Sequence, residues 1–130
     1  MKFVISVLSP STAPSTRRAL RFAQAALAAG HEIVRVFFYQ DGVLSASNNI
    51  VVAQDQQNIT QQWQTFITEN QLDAVVCIAA ALRRGVLDQT EAQRYGREAA
   101  NLAEGYQLSG LGQLHDGLQQ AERFISFGGE

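Results

Sequence analysis

The chain of 130 residues has a single cysteine, Cys77, so no disulfide can close within it. That excludes the stapled architecture of small secreted domains and leaves the thiol free for packing or for chemistry. No apolar run approaches the ~20 residues that a membrane-spanning helix needs. The opening run, Met1–Leu8, is too short for a signal-peptide core, and no small-residue cleavage pattern follows it. Residence in the reducing cytoplasm, without membrane attachment, is the expectation. Charge is scarce as well: Lys, Arg, Asp and Glu make up 17% of the residues and the net charge is −2. That balance gives no electrostatic basis for direct nucleic-acid binding. His31 and His115 lie far apart and lack neighbouring ligands, so no metal site is expected. Linkers, repeats and low-complexity tracts are missing too, and residues 1–130 are expected to form one domain.

What is present is an alternation of two hydrophobic periods. Lys2–Leu8 and Glu32–Phe38 are nearly continuous apolar runs rich in β-branched and aromatic residues, as in strands covered on both faces. Between them, Ser9–Pro14 has turn chemistry. From Ser15 the pattern takes a helical period, with Ala19, Phe22, Ala23, Ala26 and Leu27 on one face and Gly30 placed to end the helix. Strand, helix and strand in succession make a βαβ unit with a right-handed crossover. Tyr39–Gln57 reads as a long loop with room for a helical turn, of the kind that more often serves function or an interface. Ile59, Trp63, Phe66 and Ile67 mark an amphipathic helix. Asp73–Ile78 is a third buried strand containing the cysteine. Asp88 and Glu91 resemble a capping box, Gly110 and Gly112 introduce a helix over Gln113–Ala121, and Arg123–Phe127 alternates as a last strand. This order implies an α/β fold with a mainly parallel sheet.

Ligands and reactive groups of open parallel sheets gather at the carboxyl ends of the strands. Cys77 falls there, followed by A-A-A-L-R-R-G. Backbone N–H groups, Arg83 and Arg84 are therefore possible supports for a thiolate or a persulfide anion. The alternative is a buried cysteine that packs as a small hydrophobe. The two arginines could equally face solvent or a partner. Cys77 and Arg83 also fit C-x5-R, the spacing of a cysteine phosphatase. However, Ile78–Leu82 is apolar and helix-prone, unsuited to a loop of inward-turned N–H donors. Tyr39 and Asp41 follow the second strand and could border the same crevice, or serve only in an Asp-Gly turn. Gly110-Leu111-Gly112 lacks the third glycine of a dinucleotide fingerprint.

Phe37–Val43 (F-F-Y-Q-D-G-V), Val76–Val86 (V-C-I-A-A-A-L-R-R-G-V), Asp88–Ala92 (D-Q-T-E-A) and Ser109–Leu114 (S-G-L-G-Q-L) resemble, in order and spacing, the DsrE/TusD family of sulfur-relay proteins. The Ser9–Thr16 segment departs from the family pattern. The resemblance implies a three-layer α/β/α Rossmann-like domain with about five strands, acting without a cofactor. It implies assembly with two paralogous subunits, TusB-like and TusC-like, as a dimer of heterotrimers. By the same resemblance Cys77 is the sulfur-carrying residue. It would take sulfur from a TusA-like donor and pass it to a TusE-like acceptor, toward 2-thiouridine at the tRNA wobble position. A DsrE-type role in sulfur oxidation and a non-catalytic structural subunit are the alternatives within the family, and A-A-A-L-R-R-G stands nearer the TusD branch.

Overall fold

In the computed structural model, which describes residues 1–128, Lys2–Val7 forms β1 with Phe3 to Val7 all buried. A strand covered on both faces needs apolar groups at successive positions, which is why this run does not alternate. Five strands build one wholly parallel sheet in the order β4-β3-β2-β1-β5. They are β1, β2 (Glu32–Phe38), β3 (Ala74–Cys77), β4 (Tyr106–Ser109) and β5 (Arg123–Phe127). The expected α/β architecture with a mainly parallel sheet of about five strands is thus the observed one.

Helices cover both faces. α1 (Pro14–Ala28) starts with proline at its first turn, where the missing N–H costs no intrahelical bond. It ends at Gly30, whose φ of +86° lets the His31 N–H turn back to the Ala26 carbonyl at 2.9 Å. Phe22 of α1 meets Phe3 edge-on, with ring centroids 5.3 Å apart. α2 (Ile59–Glu69) packs beside α1 and buries Ile59, Trp63, Phe66 and Ile67, the four positions its period marks. Trp63 is fully enclosed. Its indole N–H donates to the Thr16 carbonyl at 3.1 Å, and its ring meets Phe38 at 5.5 Å. Successive strand residues point to opposite faces, so Val4 looks away from α1. There α5 (Leu111–Gln120) lies across β1 and β2, with Gly117 against Val4 and Arg35. Arg35 fastens that layer by reaching Asp73 at the start of β3 (Nε to Oδ2, 2.7 Å), the Gln113 carbonyl and Asp116 of α5. Burial works to lower the Arg35 pKa, but the two carboxylates more than offset it and hold the guanidinium charged.

Several elements differ from the sequence expectation, α5 among them: it begins at Leu111 rather than Gln113 and so takes in Gly112. Cys77 does not lead into further strand: Ile78 already opens α3 (Ile78–Arg83), so the strand is shorter by one residue at each end. In α4 (Gln89–Arg94), Asp88 accepts from the Glu91 N–H at 2.8 Å as a capping residue should. The Glu91 carboxylate, however, turns to Arg94 instead of completing the box. No helix among the described residues is long and apolar enough to cross a membrane.

Candidate functional site at the carboxyl edge of the sheet

Cys77 is the last residue of β3, paired in register with Ser109 of β4, and it is also the residue before the first turn of α3. Only 3% of it is exposed. The N–H groups that open a helix have no acceptor within it; Cys77 precedes those of α3, and its side chain makes no capping hydrogen bond to them. Beside it packs the segment that follows β2. Gln40–Ala46 forms a 3-10 helix against α3 and β3 and buries Val43, Ser45 and Ala46. The long loop expected at Tyr39–Gln57 therefore begins as a helix and becomes irregular only after it.

Of the candidate residues only Arg84 and Asp41 are brought together, and no hydrogen bond joins either to the Cys77 thiol. Arg84 donates from Nε to Asp41 Oδ1 at 2.7 Å and from Nη1 to the Ala80 carbonyl at 3.1 Å. Its guanidinium thereby ties the end of α3 to the 3-10 helix, and it makes no hydrogen bond to Cys77. Arg83 sits in the last turn of α3, exposed and without an ion-pair partner among the described residues. At ~1.5 Å of rise per residue, its backbone lies roughly 9 Å along the helix from Cys77. Near a helix carboxyl end a cation is favourably placed, which accounts for Arg83 without the thiol. Tyr39 is half-buried, donates its N–H to the Val7 carbonyl at 3.0 Å and sets its ring 6.1 Å from that of Phe37. C-x5-R forms no phosphate loop: its five intervening residues belong to α3, with Ala80 and Ala81 buried.

Residues 1–127 match the DsrE/DsrF-like family. The chain belongs to that family. It is 59% identical over 130 residues to a sulfurtransferase TusD homolog of Pseudomonas aeruginosa, covering 100% of this chain and 99% of the relative. It is 41% identical over 128 residues to the sulfurtransferase TusD of an Enterobacter species, covering 98% and 100%. A DsrE protein of Allochromatium vinosum is 43% identical over 129 residues, covering 98% and 99%. The crystal structure of the ychN protein from E. coli superposes with a TM-score of 0.72 at 17% identity over 97% of each chain, a likeness of fold.

Two features of this DsrE-family chain carry no clear mark in its sequence. Gly42 of the Asp-Gly pair is not there for a left-handed turn; that conformation belongs to Gln40, at φ 50°. Gly42 is needed because a Cβ would collide with the Val7 carbonyl, where its N–H reaches the Leu8 carbonyl at 3.2 Å. Asn101 is the other. Its side chain accepts from the Leu87 N–H at 2.8 Å and donates to the Gly85 carbonyl at 3.0 Å and to Ser47 Oγ at 3.3 Å. It joins the stretch after α3 to the end of the 3-10 helix, and only its polarity within a loop hints at this role. No group of three potential metal ligands occurs among the described residues.

Proposed function

We propose that the protein is a cytoplasmic sulfur carrier. Cys77 accepts sulfur as a persulfide and hands it to a second protein, toward 2-thiouridine at the tRNA wobble position. One observation carries this reading: the chain's only thiol ends a strand at the edge where parallel sheets do chemistry, in a chain aligned end to end with sulfurtransferases. In the first step the Cys77 thiolate attacks the outer sulfur of a donor persulfide. The donor's S–S bond breaks, and the donor leaves as thiolate while Cys77 becomes a persulfide. The same exchange, with Cys77 as the leaving thiolate, loads the acceptor. No net oxidation or reduction occurs and no cofactor is required. In this reading the N–H groups at the start of α3 support the thiolate and the persulfide anion, and the Arg84–Asp41 pair ties the neighbouring 3-10 helix to the end of α3.

The donor in this reading is TusA-like and the acceptor TusE-like, and two paralogous subunits, TusB-like and TusC-like, complete a dimer of heterotrimers. Apolar side chains left in water, Phe124 on the edge strand β5 and Leu111 and Leu118 on α5, suit such an assembly. A second reading is favoured by the burial of Cys77: a structural subunit with an inert thiol. Labelling separates the two. With a donor carrying ³⁵S persulfide, the label should appear on Cys77 and then chase to the acceptor. A protein that takes no label while its paralogues do is the structural subunit. The A. vinosum relative supports a DsrE-type variant of the same chemistry, in which label moves but tRNA thiolation is unaffected by loss of the protein.

A further inference from the structure

The residues that follow β1 and β2 enclose a cleft of about 540 Å³ at the same sheet edge as Cys77, though Cys77 does not line it. Its walls are the Ser11–Pro14 turn with the first turn of α1 on one side and the Ile50–Gln57 stretch on the other. Two features of these walls are unusual for a surface that meets only water. Val51 is 94% exposed and the adjacent Ile50 39%, so two neighbouring aliphatic side chains are held out at the rim. The charge is one-sided as well. α1 carries Arg17, Arg18 and Arg21 and no acidic residue, in a chain whose net charge is −2. Arg17 lines the cleft, and no carboxylate does; Asp55 lies on the loop but outside the lining. Neither Arg17 nor Arg21 has an ion-pair partner among the described residues. The turn itself is firmly held, by Thr16 Oγ1 donating to the Ser9 carbonyl at 2.7 Å and Thr60 Oγ1 donating to Ser11 Oγ at 2.6 Å.

We propose that this cleft is the docking site of a partner protein that presents an acidic segment with an apolar side chain at its tip. Arg17 in the lining, with Arg21 one turn further along α1, selects the charge, and Ile50, Val51 and Val52 receive the apolar group. Neighbouring strands lie ~4.8 Å apart, so the end of β3 is about 10 Å along the sheet edge from the end of β1. A partner seated here has its own reactive sulfur within reach of Cys77. The inference rests on the carrier reading, because it makes the occupant a partner in sulfur transfer.

The test uses two sulfur sources. Glutathione persulfide loads Cys77 without docking; the persulfide-loaded TusA-like donor, and discharge to the TusE-like acceptor, require it. Arg17→Glu/Arg21→Glu and Ile50→Ser/Val51→Ser should each slow at least one protein step about tenfold at sub-saturating partner, with folding checked by circular dichroism. Loading from glutathione persulfide should not change. Wild type should lose rate between about 50 and 300 mM salt, and the arginine variant should not. Unchanged protein steps in both variants would overturn the docking site. So would equal slowing with glutathione persulfide, which would mean that the thiol itself had been disturbed. A wild-type dimer that Ile50→Ser/Val51→Ser dissociates would assign the cleft to a second copy of the chain instead. If wild type takes no sulfur even from glutathione persulfide, it is the carrier reading that fails.

Discussion

At Arg84 the guanidinium is engaged by Asp41 and the Ala80 carbonyl and makes no hydrogen bond to the thiol, so its effect on Cys77 should be one of access. An exposed ion pair is worth at most ~1 kcal/mol, a factor of about five in an opening equilibrium. Arg84→Ala should therefore raise the rate of iodoacetamide alkylation of Cys77 by up to about fivefold at every pH, without moving the midpoint of the pH–rate curve. Arg83→Ala should leave the curve as it is. A midpoint displaced upward in either variant would restore that arginine as an electrostatic support of the thiolate. Tyr106 offers a second test. Its hydroxyl is buried without a hydrogen-bond partner among the described residues, and desolvation pushes its pKa above the usual 10.0. The unfolded chain then releases the phenolic proton before the folded protein does. The stability this group contributes is complete below pH 10.0 and is lost as pH rises beyond it. Tyr106→Phe should lessen the fall in urea midpoint above about pH 10 and, by removing an unpaired polar atom, cost little at neutral pH.

Among elements, the 3-10 helix after β2 is what holds the thiol's edge together, and Gly42 lets it approach β1. Adding a methyl group there forces backbone apart from backbone, so Gly42→Ala should destabilise by about 1–3 kcal/mol or more, read from the denaturant midpoint. Gly112→Ala, with open space around its Cβ, is the control and should not. How far these elements were legible follows from their burial. β1, β2 and β3 announce themselves as apolar runs because both faces are covered, and α2 shows its period because Trp63 and its neighbours all face the core. β4 carries no such signal: it is a four-residue edge strand, Y-Q-L-S, with Gln107 exposed, and its place comes from pairing with β3. α3 is short and apolar on several sides, a pattern that suits a strand end as well as a helix. Cys77 was legible as a strand-end thiol. The Asp41–Arg84 pair was not, since 43 residues separate its members and only the packing of the 3-10 helix on α3 brings them together.

For the whole molecule, the exposed apolar side chains of α5 and of the edge strand β5 favour assembly over a solitary monomer. If the proposed assembly forms, co-expression with a TusB-like and a TusC-like subunit should yield a complex whose pairwise contacts bury well over about 1,000 Å². Separate monomers at micromolar concentration in light scattering would contradict that expectation. The assembly matters because it would cover surface while leaving the carboxyl edge, with its cysteine and its arginine-flanked cleft, open to two successive partners. The proposed carrier function requires that Cys77 hold transferable sulfur. Intact-protein mass spectrometry after incubation with a persulfide donor tests it most directly. The wild-type protein should gain one sulfur, about 32 Da, that maps to Cys77 and is removed by a reductant, while Cys77→Ser should gain none. A wild-type mass that does not change, or an equal gain in Cys77→Ser, would contradict the account.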